Sequence, residues 1–144
     1  MAEKFEIAKV FKNGKPGGAG EIKSGMVMAI DPRQAGKLVL SRVAYNRRVA
    51  GVISGANNLA AGLLLPNLTD VKDAQPIALS GRVWVYADAT RNPIAPGDLL
   101  TTSSIPGHAM KATSYRRAQG AIIGKAMSVL KSGRGLVLVL VTLQ

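Results

Sequence analysis

The chain contains no cysteine and a single histidine, His108. Disulfide frameworks, thiolate metal sites and cysteine nucleophiles are therefore excluded. With no second His or Cys to join it, His108 cannot found an ordinary transition-metal site. The eight acidic residues are too few and too scattered for a calcium loop. Long apolar stretches are missing too: the longest, Leu136 to Val141, falls far short of the roughly 20 residues that span a bilayer as a helix. The N-terminal Met-Ala-Glu-Lys-Phe-Glu lacks the charged-then-apolar pattern of a signal peptide. These absences predict a soluble protein made in the cytoplasm, with no cofactor, no metal and no membrane partner. Aromatics are sparse, at 4%, so the core must be aliphatic.

What is present is a chain of 144 residues, 47% of them hydrophobic, with a mean hydropathy of +0.16. That is enough for one domain with its own core, and it argues against disorder. Sixteen glycines and seven prolines punctuate short runs of Val, Ile and Leu, which is the composition of many strands joined by tight turns. The formal net charge of +11 would concentrate polyanions near the surface. The basic residues come singly and as two Arg-Arg pairs, with no long run, so a solvated basic surface is the simpler reading.

In chain order, Phe5, Ile7 and Val10 alternate with Glu6 and Lys9 before Asn13-Gly14, predicting a short strand that ends in a turn. Lys15 to Gly20 reads as a loop; the turn at Ser24-Gly25 that follows leaves no helix to present an N-terminus to phosphate. Strands are predicted over Met26–Ile30, Lys37–Ser41 and Val49–Gly55. Ala56 to Gln75 is a long apolar connection, expected to pack on a sheet or a neighbour. Pro76 to Ala87 reads as one strand, with Val83 and Val85 on one face and Trp84 and Tyr86 on the other. Leu136 to Val141 is again apolar on both faces, as in a barrel wall covered by a further layer.

The order of features recurs. Ile22 to Val27 is answered by Ile94 to Leu99, Gly36 by Gly107, Tyr45 by Tyr115, and Arg47-Arg48 by Arg116-Arg117. Gly51 and Gly55 are then answered by Gly120 and Gly124, at a nearly constant spacing. A unit of strand, turn, strand, arginine pair and strand, each time followed by a long apolar strand, therefore predicts an internal pseudo-two-fold duplication. The expected fold is all-β, a compact barrel or sandwich of short strands. The expected organisation is a single domain over 1–144, with an N-terminal strand and Gly-rich loop at 1–20, a first repeat at 21–91 and a second at 92–144. The arginine pairs are read as edge charges that block unwanted strand pairing, or as salt-bridge donors.

Catalytic patterns are weak. Ser103 or Ser104, His108 and Asp98 or Asp88 could in principle form a triad, but residues this close in a turn-rich segment more often satisfy the turn. Gly120 to Lys125 lacks the spacing and the Ser or Thr of a phosphate-binding Walker loop. Trp84 and Tyr86 with Arg82 and Arg91 could form a stacking platform for a single strand, although burial in a core or subunit interface accounts for them more simply.

Four runs carry a resemblance: R-R-V-A-G-V-I-S-G at Arg47 to Gly55, P-I-A-L-S-G-R-V-W-V at Pro76 to Val85, P-I-A-P-G-D-L-L-T-T-S-S-I-P-G-H-A at Pro93 to Ala109, and G-A-I-I-G-K-A at Gly120 to Ala126. Together they resemble a β-rich module of bacterial and phage surface-fibre or tail-appendage proteins, similar to C-terminal domains of the peptidase G2 type, which are trimer-forming intramolecular chaperones that release themselves by self-cleavage. The chain is also similar to the small trimeric decoration proteins of phage capsids. Both resemblances imply a homotrimer on a virion or particle surface, with no cofactor. No catalytic serine or carboxylate of the self-cleaving type can be matched here.

The expected function is therefore a non-enzymatic, self-assembling structural module of a phage-like particle or fibre. Its partner would be itself, as a homotrimer or larger homo-oligomer, together with a capsid or fibre protein. The expected subunit interface comprises Trp84, Tyr86, Leu63, Leu64, Leu65, Leu138 and Leu140. A basic module that binds polyanions or nucleic acid through Arg47, Arg48, Arg116 and Arg117 is the alternative; a self-cleaving chaperone is the third. Thr101 to His108, absent from the first-half counterpart, is the place to seek a specific contact surface.

Overall fold

A computed structural model describes residues 22–58 and 74–144 and, as backbone, 2–6, 10–12 and 15–17. Twelve described strands follow one another: β1 (Ala2–Glu6), β2 (Val10–Lys12), β3 (Lys15–Gly17), β4 (Val27–Ile30), β5 (Leu38–Leu40), β6 (Val49–Ile53), β7 (Ala74–Ala78), β8 (Ser80–Asp88), β9 (Leu99–Thr102), β10 (Ala109–Lys111), β11 (Ile122–Ala126) and β12 (Arg134–Thr142). A single turn of helix, α1 (Tyr115–Ala118), separates β10 from β11. The protein is all-β, as its composition predicts.

The strands form an open sheet in the order β1-β7-β6-β4-β5, a closed barrel in the order β10-β8-β12-β11-β9, and a separate β2-β3 ribbon. Pairing is antiparallel except where β10 meets β8 at Ala109 and Ala87, the contact that closes the barrel. Read from β8, the barrel runs β8-β12-β11-β9-β10, the same plan as the open sheet read from β1. Turn hydrogen bonds match as well. Gly25 donates to Ile53 O (2.6 Å) as Gly97 does to Ala126 O (2.8 Å), and Ile53 donates to Met26 O as Ala126 does to Asp98 O, each at 2.9 Å. Just after β4 the Asp31 carboxylate accepts from Arg33 N–H, and just after β9 the Ser103 hydroxyl accepts from Ile105 N–H.

Period-two patterning builds the core. Val83, Val85 and Ala87 of β8 and Val137, Val139 and Val141 of β12 point into the barrel, where they meet Leu100, Ala109, Ile123 and Ala126. Each fully buried valine contributes about 1.5–3 kcal/mol relative to exposure. Val27, Val52 and Ala78 extend this core into the open sheet, and Met28, Leu38, Leu40, Ile53 and Ile77 form a second cluster. Backbone bonds join the sheets: Tyr86 N–H donates to Gly25 O, and Val27 N–H to Gly107 O, both at 2.8 Å.

Several expectations are revised. Pro76 to Ala87 is two strands: the chain breaks at Leu79, so β7 joins the open sheet and β8 the barrel. A register change at one residue is invisible to periodicity because both halves are apolar. Lys15–Gly17, read as loop, pairs with β2, placing Pro16 opposite Phe11. Gly51 and Gly124 both sit at a register shift, each in the middle strand of its set, whereas Gly120 precedes β11. Arg116 and Arg117 lie on α1 rather than on a strand edge, and Arg47 and Arg48 occupy the turn before β6.

Candidate functional site

Two surface features stand out, one apolar and one basic. Along the outside of the barrel, β12 runs antiparallel to β8 with Leu136 opposite Tyr86, Leu138 opposite Trp84 and Leu140 opposite Arg82. These side chains alternate with the buried valines and so face outward. Trp84, Tyr86, Leu136 and Leu138 are half-buried, whereas Leu140 is 40% exposed. Met127, whose N–H donates to Leu138 O at 2.7 Å, is 43% exposed. Tyr86 turns toward the open sheet: its ring lies 5.4 Å from that of His108 and close beside Gly25.

The basic feature is organised by Tyr45. Its backbone takes a left-handed φ of 54°, uncommon for a side chain of this size, and several bonds hold it there. Tyr45 N–H donates to Thr102 O (3.1 Å), and the Thr102 hydroxyl accepts from Asn46 N–H (2.7 Å) while donating to Val43 O (2.7 Å). The Tyr45 hydroxyl accepts from the backbone N–H groups of Thr113 (3.1 Å) and Ser114 (3.2 Å) and lies 3.3 Å from the Thr113 hydroxyl. Ser114 in turn caps α1, accepting from Arg117 N–H at 3.3 Å. The Arg117 guanidinium sits 4.3 Å above the Tyr45 ring, a cation–π contact worth about 0.5–1 kcal/mol at an exposed site. Partial burial pushes the Tyr45 hydroxyl up. The hydrogen bonds from Thr113 and Ser114, with the Arg117 charge, outweigh it and bring the group below its ordinary value of 10.0.

Tyr45 and Arg117 form a wall shared by two clefts. One, of about 450 Å³, is lined by Ala44, Tyr45, Arg47, Arg116, Arg117 and Gln119. The other, of about 430 Å³, adds Arg91, Lys111 and Arg134, with Asp88 and Ser103 among its remaining lining residues. Lys111 is paired with Asp98 at 3.6 Å. The Thr90 hydroxyl and N–H donate to Asp88 and, with Arg134 and His108 nearby, hold its carboxyl below the ordinary 3.8 against the opposing effect of burial.

The triad candidates are not assembled. His108 Nδ1 lies 2.9 Å from Pro106 O, Ser103 exchanges bonds with Ile105, and Asp98 accepts from Ala95 N–H at 2.9 Å. Each side chain satisfies its own turn. Of the polyanion candidates, Arg47, Arg116 and Arg117 line one cleft, and Arg48 does not. Trp84, Leu138 and Leu140 share the outer barrel face, while Leu63, Leu64 and Leu65 lie outside the described residues. Sequence reading missed the role of Tyr45; the signal was a large residue at a turn between strands, which carries no pattern of its own. No helix among the described residues is long and apolar enough to cross a membrane.

These features define an all-β module with an apolar outer face and a basic flank. No family model matches the chain, and no curated protein matches its sequence. Among solved structures it is similar to the C-terminal fragment of gene product 12 of bacteriophage phi29, with a TM-score of 0.50 and 14% identity, over 98% of this chain and 99% of that one. At that identity the likeness is one of fold.

Proposed function

We propose that the chain is a non-enzymatic structural module of a phage-like particle or fibre, which works by associating with copies of itself as a homotrimer. One observation carries the reading: the β8-β12 pair is apolar on both faces, and its outer face leaves Leu140 40% exposed beside the half-buried Trp84 and Leu138. Apolar strands whose second face is only partly covered offer the kind of surface that obligate interfaces bury. The shared fold with a phage protein fragment supports the setting. Decoration of a capsid and a chaperone-like role at the end of a fibre are two forms of this reading. The module is further read as two tandem copies of one five-strand plan, divided at Leu79, with β1 standing to β7 as β8 stands to β12.

Sedimentation velocity over a range of low micromolar concentrations tests the assembly. The expected result is a discrete trimer that Leu140→Glu converts to a folded monomer. A wild-type protein that stays monomeric throughout overturns it.

A further inference from the structure

The two clefts flanking Tyr45 gather six cations, Arg47, Arg91, Lys111, Arg116, Arg117 and Arg134, and Asp88 is the carboxylate on their walls. Among the described residues, no carboxylate pairs with Arg47, Arg116 or Arg117. Like charges gathered on one cleft repel one another even in water. A fold that only needed solubility would scatter them. Here α1 and the turn before β6 bring two distant stretches of sequence to one cleft, and the Tyr45 bonds fix α1 in place.

We propose that the paired clefts form a track for a linear phosphate polymer, with Arg47, Arg116 and Arg117 binding its phosphates. Guanidinium groups present forked donors that match phosphate oxygens. Stacking on Tyr45 restrains Arg117 and leaves its edge N–H groups unused, so less entropy is lost on binding. Two clefts sharing one wall suit a chain of phosphates better than a single ion. Base recognition is not part of the site: Arg117 covers a face of Tyr45, and Trp84 and Tyr86 line neither cleft. The track therefore reads phosphate, whether from a single-stranded nucleic acid or from inorganic polyphosphate.

The test is fluorescence anisotropy with a labelled oligothymidylate, titrated at several salt concentrations, with unlabelled polyphosphate as competitor. Binding is expected at low salt, with a log–log salt slope of about −2 or steeper, because each neutralised phosphate of a single strand contributes about −0.7. Polyphosphate should compete. Arg47→Gln/Arg116→Gln/Arg117→Gln should weaken binding about ten-fold or more, the scale expected when several phosphate contacts are lost. A control with the same loss of charge, Lys23→Gln/Arg42→Gln/Lys125→Gln, should bind nearly as wild type. Arg47→Gln alone, which leaves α1 untouched, should show a smaller loss, and this keeps the test decisive if the triple variant misfolds. Absence of wild-type binding at low salt overturns the proposal. So does equal weakening in both triple variants, which would mean net charge alone, or failure of polyphosphate to compete, which would mean base contacts. Unchanged binding by a folded Arg47→Gln also overturns it.

Discussion

Gly51 and Gly124 do the same job in two different sheets. Each sits at the register shift where the third strand of its set leaves the strand beside it. A Cβ on Gly51 would lie 2.6 Å from Ala78 O, and one on Gly124 would lie 2.0 Å from Leu140 O. Neither obstacle is a flexible side chain, so the adjoining strand itself would have to move. Gly51→Ala and Gly124→Ala are each expected to cost about 1–3 kcal/mol, in the range of overpacking in a well-packed interior, measured by urea denaturation. Gly36→Ala meets no atom within 4 Å and isolates the cost of a left-handed φ from that of collision.

The barrel interior should behave as one close-packed unit. Ile123 is fully buried in it, whereas Ile30 is 50% exposed on the open sheet. Ile123→Ala is expected to destabilise by about 2–5 kcal/mol through lost transfer energy and the cavity left behind. Ile30→Ala should stay within about 0.5 kcal/mol, as surface substitutions do. Equal effects in thermal or chemical unfolding would contradict the burial pattern.

Tyr45→Phe removes the acceptor shared by Thr113 and Ser114. The expected loss is about 1 kcal/mol, the lower end of the cost of an unmade hydrogen bond, because the donors are only partly buried. The charge state offers an independent readout. The folded state holds the Tyr45 hydroxyl below 10.0, so ionisation favours folding: its stabilisation is complete above the unfolded value and disappears as pH falls through the lower folded value. An absorbance titration of the folded protein should show a phenolate step below 10.0 that is missing from Tyr45→Phe.

Asp88 predicts the acid side. Its carboxyl is held below 3.8 by Thr90 first and by Arg134 and His108 more weakly. The stability it contributes is present above 3.8 and is lost as pH falls through the folded value. Asp88→Asn should flatten that part of the stability profile and leave the rest unchanged. An acid limb as steep as wild type would show that other carboxylates govern it.

Much of the fold was legible because period-two patterning is local. The alternation Val83, Val85 against Trp84, Tyr86, and Val137, Val139 against Leu138, Leu140, separates the two faces of each strand without any knowledge of partners, and burial in the barrel shows that the valines face inward. Glycines at turns and the short apolar runs between them pointed to many short strands. The likeness of the two clusters of tyrosine and paired arginines is a chemical one, whereas strand register follows hydrogen bonds. Tyr45 and Tyr115 illustrate it: one is a bonded hub between sheets, the other is 82% exposed on α1.

By itself, the sequence determined an all-β chain with an aliphatic core, strands apolar on both faces, and no means of binding a metal through thiolates or paired histidines. Those properties follow from residue type and spacing along the chain. Only the tertiary structure decided that the chain breaks at Leu79 to serve two sheets, that one sheet closes through Ala87 and Ala109 while its counterpart is open, and that Arg47 meets Arg116 and Arg117 beside Tyr45. Each of these depends on contacts between residues far apart in sequence, where the deciding energies are strand pairing and burial rather than local preference.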